Sequence, residues 1–124
     1  MARLAEIVFD SLQPARRARF WAQALEGYRV RAYDVAEIHR LAALGHTPET
    51  DPTVAVDGPG PTLFFQLTDR RKTTRNRLHL DLRAEHRREE VDRLCALGAS
   101  VRDVHETYSV LLDPEGNEFC VQDA

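Results

Sequence analysis

The feature that most constrains this chain is that it says nearly the same thing twice. An alternating stretch, an amphipathic helical stretch, the sequence Ala24-Leu25-Glu26-Gly27 and a further alternating stretch make up the first half. An alternating stretch, a helical stretch, Ala96-Leu97-Gly98 and another alternating stretch recur in the second. Gly27 and Gly98, each placed to end a helix, stand 71 residues apart. Two copies of one strand–helix–strand unit account for the pattern, and 124 residues leave room for two small modules within one domain-sized chain.

Period-2 alternation predicts the strands. In Ala5–Asp10, Ile7 and Phe9 face one way and Glu6, Val8 and Asp10 the other. Leu78-His79-Leu80-Asp81-Leu82-Arg83 is the cleanest such run, with leucines on one side and His79, Asp81 and Arg83 on the other. Tyr28–Tyr33, Thr53–Asp57, Thr62–Thr68, Ser100–Asp103, Thr107–Leu112 and Glu118–Val121 read as further strands. Gly58-Pro59-Gly60-Pro61 and Asp113-Pro114-Glu115-Gly116-Asn117 carry the chemistry of tight connections.

Three helices fit between them. Pro14, Ala18, Trp21 and Leu25 form one helical stripe flanked by Phe20 and Ala24. Asp34 and Glu37 have capping-box spacing and open a second helix, about 34–45, with Val35, Ile38, Leu41, Ala42 and Leu44 as its expected buried face. Val91, Leu94 and Cys95 form the apolar stripe of a third helix from about Arg87 to Leu97.

The helices must cover one face of the strands. The other face then carries Glu6, Asp10, Phe64, Gln66, His79, Asp81, Glu118 and Cys120. An open sheet face in water would be polar for no functional reason. Alternation alone favours that reading; an aromatic (Phe64) and a thiol (Cys120) among the polar residues weaken it and fit a sheet curved around a lined cleft.

Bulk composition excludes several classes. With 43% hydrophobic and 30% charged residues the chain can fill a core, and a net charge of −3 gives no broad attraction to nucleic acid or to an anionic membrane. No apolar run approaches the roughly 20 residues of a membrane-spanning helix. Two cysteines and no secretory h-region fit a cytoplasmic protein. The basic run Arg70-Arg71-Lys72-Thr73-Thr74-Arg75-Asn76-Arg77 reads either as a solvated loop or as a local site for a carboxylate or phosphate.

Three segments together resemble the vicinal oxygen chelate superfamily, and within it the short glyoxalase-like and bleomycin-resistance-like proteins. They are Arg19-Phe20-Trp21, Asn76-Arg77-Leu78-His79-Leu80-Asp81-Leu82, and the run from Asp113 to Val121. The resemblance covers nearly the whole chain. It implies an α+β fold of two βαβββ modules, about 1–69 (with the helix at 34–45 as an insertion) and about 76–124, whose curved mixed sheet surrounds a cleft.

It also implies a ligand set. In metal-dependent members the outer strands of each half supply one ligand each, and the matching positions here are Glu6, Gln66, His79 and Cys120. These suit a divalent ion such as zinc, iron, nickel or manganese. Cys120 stands where such members generally have glutamate, and Glu6 where they have histidine or glutamine. On the enzymatic reading the protein is a lyase, isomerase or dioxygenase, with Glu118 or Asp81 moving a proton. On the alternative reading it sequesters a drug or metabolite without metal, using the aromatic side chains of Phe64, Trp21, Tyr28, Tyr33 and Tyr108; Phe64, Trp21, Arg77 and Tyr108 are the expected ligand-binding residues. A third reading leaves the cleft vestigial. The resemblance further implies a homodimer, and the inserted helix is expected to serve as a lid or wall of the cleft or as a dimer contact.

Overall fold

The computed structural model describes residues Met1–Ala124 throughout. It divides into two compact units, Met1–Arg71 and Lys72–Ala124. Each is a βαβββ module with one four-stranded mixed sheet, the expected fold.

In the first unit, β1 (Glu6–Ser11) leads into α1 (Pro14–Ala24), followed by β2 (Arg29–Val30), α2 (Val35–Ala43), β3 (Thr53–Asp57) and β4 (Thr62–Leu67). The sheet order is β1-β4-β3-β2, with β1 parallel to β4 and the other pairs antiparallel. Alternation sends Leu63 and Phe65 to the α1 side, where they are buried with Val54, Val56, Ala18, Phe20 and Trp21. Phe9 stacks on Phe65 with ring centroids 5.3 Å apart. Arg17, only 2% exposed, lays its guanidinium over both rings and donates to the Asp10 carbonyl at 2.7 Å.

The second unit repeats the plan with β5 (Leu80–Ala84), α3 (Arg87–Leu97), β6 (Ser100–Val104), β7 (Tyr108–Leu112) and β8 (Glu118–Asp123), in the order β5-β8-β7-β6. Here β5 and β8 are the parallel pair. Val91 and Leu94 of α3, with Leu111, Phe119 and Val121 of the sheet, are buried as its core. Gly27 and Gly98 both adopt positive φ (75° and 125°), which explains why the glycine recurs after each helix.

Several expectations are corrected. The strand expected at Tyr28–Tyr33 is only two residues long, Arg29–Val30; just ahead of it the Tyr28 hydroxyl donates to the Pro61 carbonyl at 3.0 Å. The capped helix α2 forms, with the Asp34 carboxylate accepting from the Glu37 amide at 2.8 Å, but only Leu41 of its expected apolar face is buried. Val35 and Leu44 are more than 60% exposed. Cys95 is half-buried rather than core. Strand β5 starts at Leu80, so His79 lies one position ahead of the ladder and Leu78 is exposed.

Gly58 sits against the face of the Tyr28 ring, and a methyl group there would overlap ring atoms. Gly58→Ala is therefore expected to displace Tyr28 and cost about 1–3 kcal/mol, the usual range for overpacking, measured by urea denaturation. Gly45→Ala, where the added methyl meets no neighbour, separates this crowding from backbone strain, since Gly45 itself has φ 81°.

Candidate functional site

The second module brings three potential ligands together. Asp81 lies directly opposite Cys120 in the parallel β5–β8 ladder, and His79 precedes Asp81 by two residues, so all three side chains leave the sheet on the side away from α3. One ligand atom from each of His79, Asp81 and Cys120 lies within 4.8 Å of the other two. His79 Nε2 is 3.3 Å from Asp81 Oδ1, with both side chains nearly half exposed. Burial pushes the Cys120 thiol pKa up, and the negative charge and hydrogen bond of Asp81 push it further, so without a cation the sulfur keeps its proton.

Two sequence motifs hold this geometry. In the Asp113–Asn117 turn, the buried Asp113 carboxylate accepts from the amides of Glu115 (2.9 Å) and Asn117 (3.0 Å), which fixes where β8 begins. Asn76, at the head of the His79 segment, then clamps that start. Its side-chain amide donates to Asn117 Oδ1 at 3.0 Å, its backbone N–H donates to Glu118 Oε2 at 3.0 Å, and its Oδ1 accepts from the Glu118 amide at 3.3 Å. The chain before His79 is thereby tied to the strand that carries Cys120.

Glu118 belongs to that framework. Lys72 Nζ donates to it at 3.1 Å and Arg102 lies 3.4 Å away. Burial pushes its pKa up, but the Asn76 amide and the Lys72 ammonium outweigh this and leave it below the ordinary glutamate value. The Glu118 carboxylate is thus held in its charged form by the groups that tie β8 to the segment before His79. Asp81 faces His79 and Cys120.

A cavity of about 260 Å³ adjoins the cluster, lined in part by His79, Cys120, Arg75, Arg102 and Tyr108. The Tyr108 ring stacks on His105 at 4.5 Å between centroids and forms an aromatic wall of this cavity. Sequence reasoning did not single out Arg102 or His105. Neither has a motif signal, and each reaches the cavity from β6 or the turn after it.

In the first module Glu6, Phe64 and Gln66 share the open face of the sheet, but Glu6 and Gln66 are not brought together. Glu6 stands opposite Thr62 and Gln66 opposite Asp10, four ladder positions apart. At about 3.3 Å per residue that is roughly 13 Å along the strands, too far for ligands of one ion held in upright side chains. Trp21 is 2% exposed and packs edge-on to Phe20 in the core, so it offers no surface to a ligand. Arg77 is exposed in the segment before β5.

A second cavity, about 480 Å³, lies within the first module. Phe64 and Ala55 line it from the open sheet face, and Glu37, Arg40, Leu41 and Leu44 line it from α2. The inserted helix is thus a wall. Arg31 reaches over Phe64 (5.5 Å to the centroid) while paired with Asp57 at 2.8 and 2.9 Å. Tyr33 donates to the buried Asp51 carboxylate at 2.7 Å, and burial together with that bond raises its phenol pKa well above the ordinary value.

A family model described as a glyoxalase-like domain matches residues 6–122. No curated protein matches the sequence. Among solved structures, a glyoxalase/bleomycin resistance protein/dioxygenase family enzyme from Burkholderia phytofirmans is similar at 18% identity, covering 98% of each chain with a TM-score of 0.68. The fosfomycin resistance protein of Mesorhizobium loti is similar at 11% identity, covering 98% of this chain and 91% of that one, TM-score 0.68. The trypanothione-dependent glyoxalase I of Leishmania major is similar at 18% identity, covering 99% and 87%, TM-score 0.63. At these identities the likeness is one of fold. No helix is long and apolar enough to cross a membrane.

Proposed function

Since the chain belongs to the glyoxalase-like domain family, we propose that its second module holds a divalent metal on His79, Asp81 and Cys120 and binds a small molecule in the adjoining cavity. The observation that carries this reading is the convergence of one nitrogen, one carboxylate oxygen and one sulfur within 4.8 Å. Three protein ligands and an open position are the pattern of catalytic rather than structural zinc sites. Zinc fits the mixed donor set better than the hard-oxygen metals, because thiolate is a soft ligand. Half-exposed His79 and Asp81 side chains have room for the small adjustments that ligation at about 2.0–2.3 Å needs. When bound, such an ion supplies Lewis-acid polarisation of a substrate oxygen. The protein's own residues supply the frame: Asn76 and Glu118 fix the strands, and Tyr108 stacked on His105 forms one aromatic wall.

Family neighbours that include a glyoxalase I and a fosfomycin resistance protein support a small-molecule substrate or ligand. Two free cysteines fit a reducing compartment such as the cytoplasm. A metal-free binding role draws support from the first-module cavity, where Phe64 and Arg31 offer an aromatic and cationic surface.

Protein purified without chelator and incubated with Zn²⁺ or Co²⁺ is expected to retain a single ion per chain through gel filtration. The Co²⁺ form is expected to show a near-ultraviolet thiolate charge-transfer band that Cys120→Ser abolishes. Metal no higher than background in the wild type would end the metal reading.

A further inference from the structure

We propose that the second-module cavity takes a short-chain carboxylate, and that Arg75 recognises its anionic end. The proposal deepens the metal reading and rests on it for the charge balance at the His79 cluster.

Charge balance singles out Arg75. Three cations stand at or beside the cavity: Lys72, Arg75 and Arg102. Glu118 occupies Lys72 and one nitrogen of Arg102, and Asp103 takes Arg102 Nε at 2.9 Å. A divalent ion held there would be neutralised by Asp81 and the Cys120 thiolate. Arg75 is the cation left over: it lines the cavity and makes no hydrogen bond or ion pair. The only carboxylate lining the cavity, Glu118, is already engaged by Asn76, Lys72 and Arg102. The planar guanidinium fork matches a carboxylate with two parallel hydrogen bonds, which a neutral ligand cannot reproduce.

Size and lining narrow the class. About 260 Å³ falls below the roughly 300–1,000 Å³ of sites for drug-sized ligands. The stacked His105–Tyr108 pair and Val110 give a short carbon skeleton an apolar and aromatic surface. The basic run that the sequence presents as a loop or an anion site therefore delivers one arginine to a ligand cavity and one lysine to the frame.

The test compares acetate, lactate and benzoate with lactamide, the neutral isostere of lactate, by calorimetry on zinc-loaded wild type, Arg75→Met and Arg75→Lys. At least one carboxylate is expected to bind, and lactate at least tenfold tighter than lactamide. Arg75→Met is expected to lose tenfold or more in carboxylate affinity with zinc affinity unchanged, and Arg75→Lys to recover part of it. Equal binding of lactate and lactamide, no loss in Arg75→Met, or no binding of any of the three carboxylates would overturn the proposal. If wild type takes up no zinc, the metal reading fails separately. The same comparison on metal-free protein then decides the carboxylate site by whether binding depends on Arg75.

Discussion

Phe65→Ala is expected to destabilise the first module by about 3–5 kcal/mol, the cost typical of removing a fully buried phenylalanine. Phe65 is 0% exposed, and its ring is one face of a stack whose other members are Phe9 and the buried Arg17 guanidinium. Truncation leaves a void beneath Phe9 and removes one of the two rings over which a nearly inaccessible charge is spread. A cation over an aromatic face is worth about 0.5–2 kcal/mol when desolvated. Against a total stability of about 5–15 kcal/mol for an ordinary domain, such a loss is a large share of the whole. Phe65→Leu, which keeps most of the volume, is expected to retain most of the stability. Val8→Ala, on the open face and 52% exposed, is expected to change it by no more than about 0.5 kcal/mol. Denaturant midpoints for the three variants check the order, and a cost below about 1 kcal/mol for Phe65→Ala would contradict the described core.

Which face a strand residue takes was legible in the sequence, because the pleat fixes it by parity alone. His79, Asp81 and Cys120 could be put on one face of the second module before any register was known. How far along the face each one stands was not legible, because that depends on the offset between strands distant in sequence. The repeat makes the difference explicit. In the second module Asp81 is opposite Cys120, so the position level with His79 is Glu118, and Cys120 lies two residues beyond it. In the first module Glu6 is level with Thr62, and two residues beyond lies Phe64. The position that corresponds to Cys120 is therefore held by an aromatic ring, and Gln66 lies two residues further on.

Capping and apolar spacing likewise announced α2 as a helix, but a helix signal does not say what the helix packs against. With only Leu41 buried, α2 covers a cavity rather than a core. Buried Arg17 was equally silent. A charged residue on a helix reads as solvent-facing unless the two rings that receive it, Phe9 and Phe65, are known to stack.

The proposed metal site rests on the same register argument, and its candidate ligands make an ordered prediction. Removing His79 (His79→Ala) is expected to lower Zn²⁺ affinity by at least about 100-fold, since a three-ligand site reduced to two loses most of its chelation. Cys120→Ser is expected to do the same, because a serine hydroxyl does not ionise at neutral pH as a coordinated thiol does. Asp81→Asn keeps the shape but removes the charge and is expected to cost about 10- to 100-fold. Glu6→Gln and Gln66→Leu should leave zinc affinity within about threefold, because the β1–β4 register separates these two residues by four positions and neither belongs to the second-module cluster. Competition with a chromophoric chelator measures all five variants on one scale. A loss at Glu6 or Gln66 as large as that at Asp81 would show that the ion does not sit on His79, Asp81 and Cys120 alone. A series in which Asp81→Asn is as silent as Glu6→Gln and Gln66→Leu would return Asp81 to the solvent and leave histidine and thiolate as the ligands this module provides.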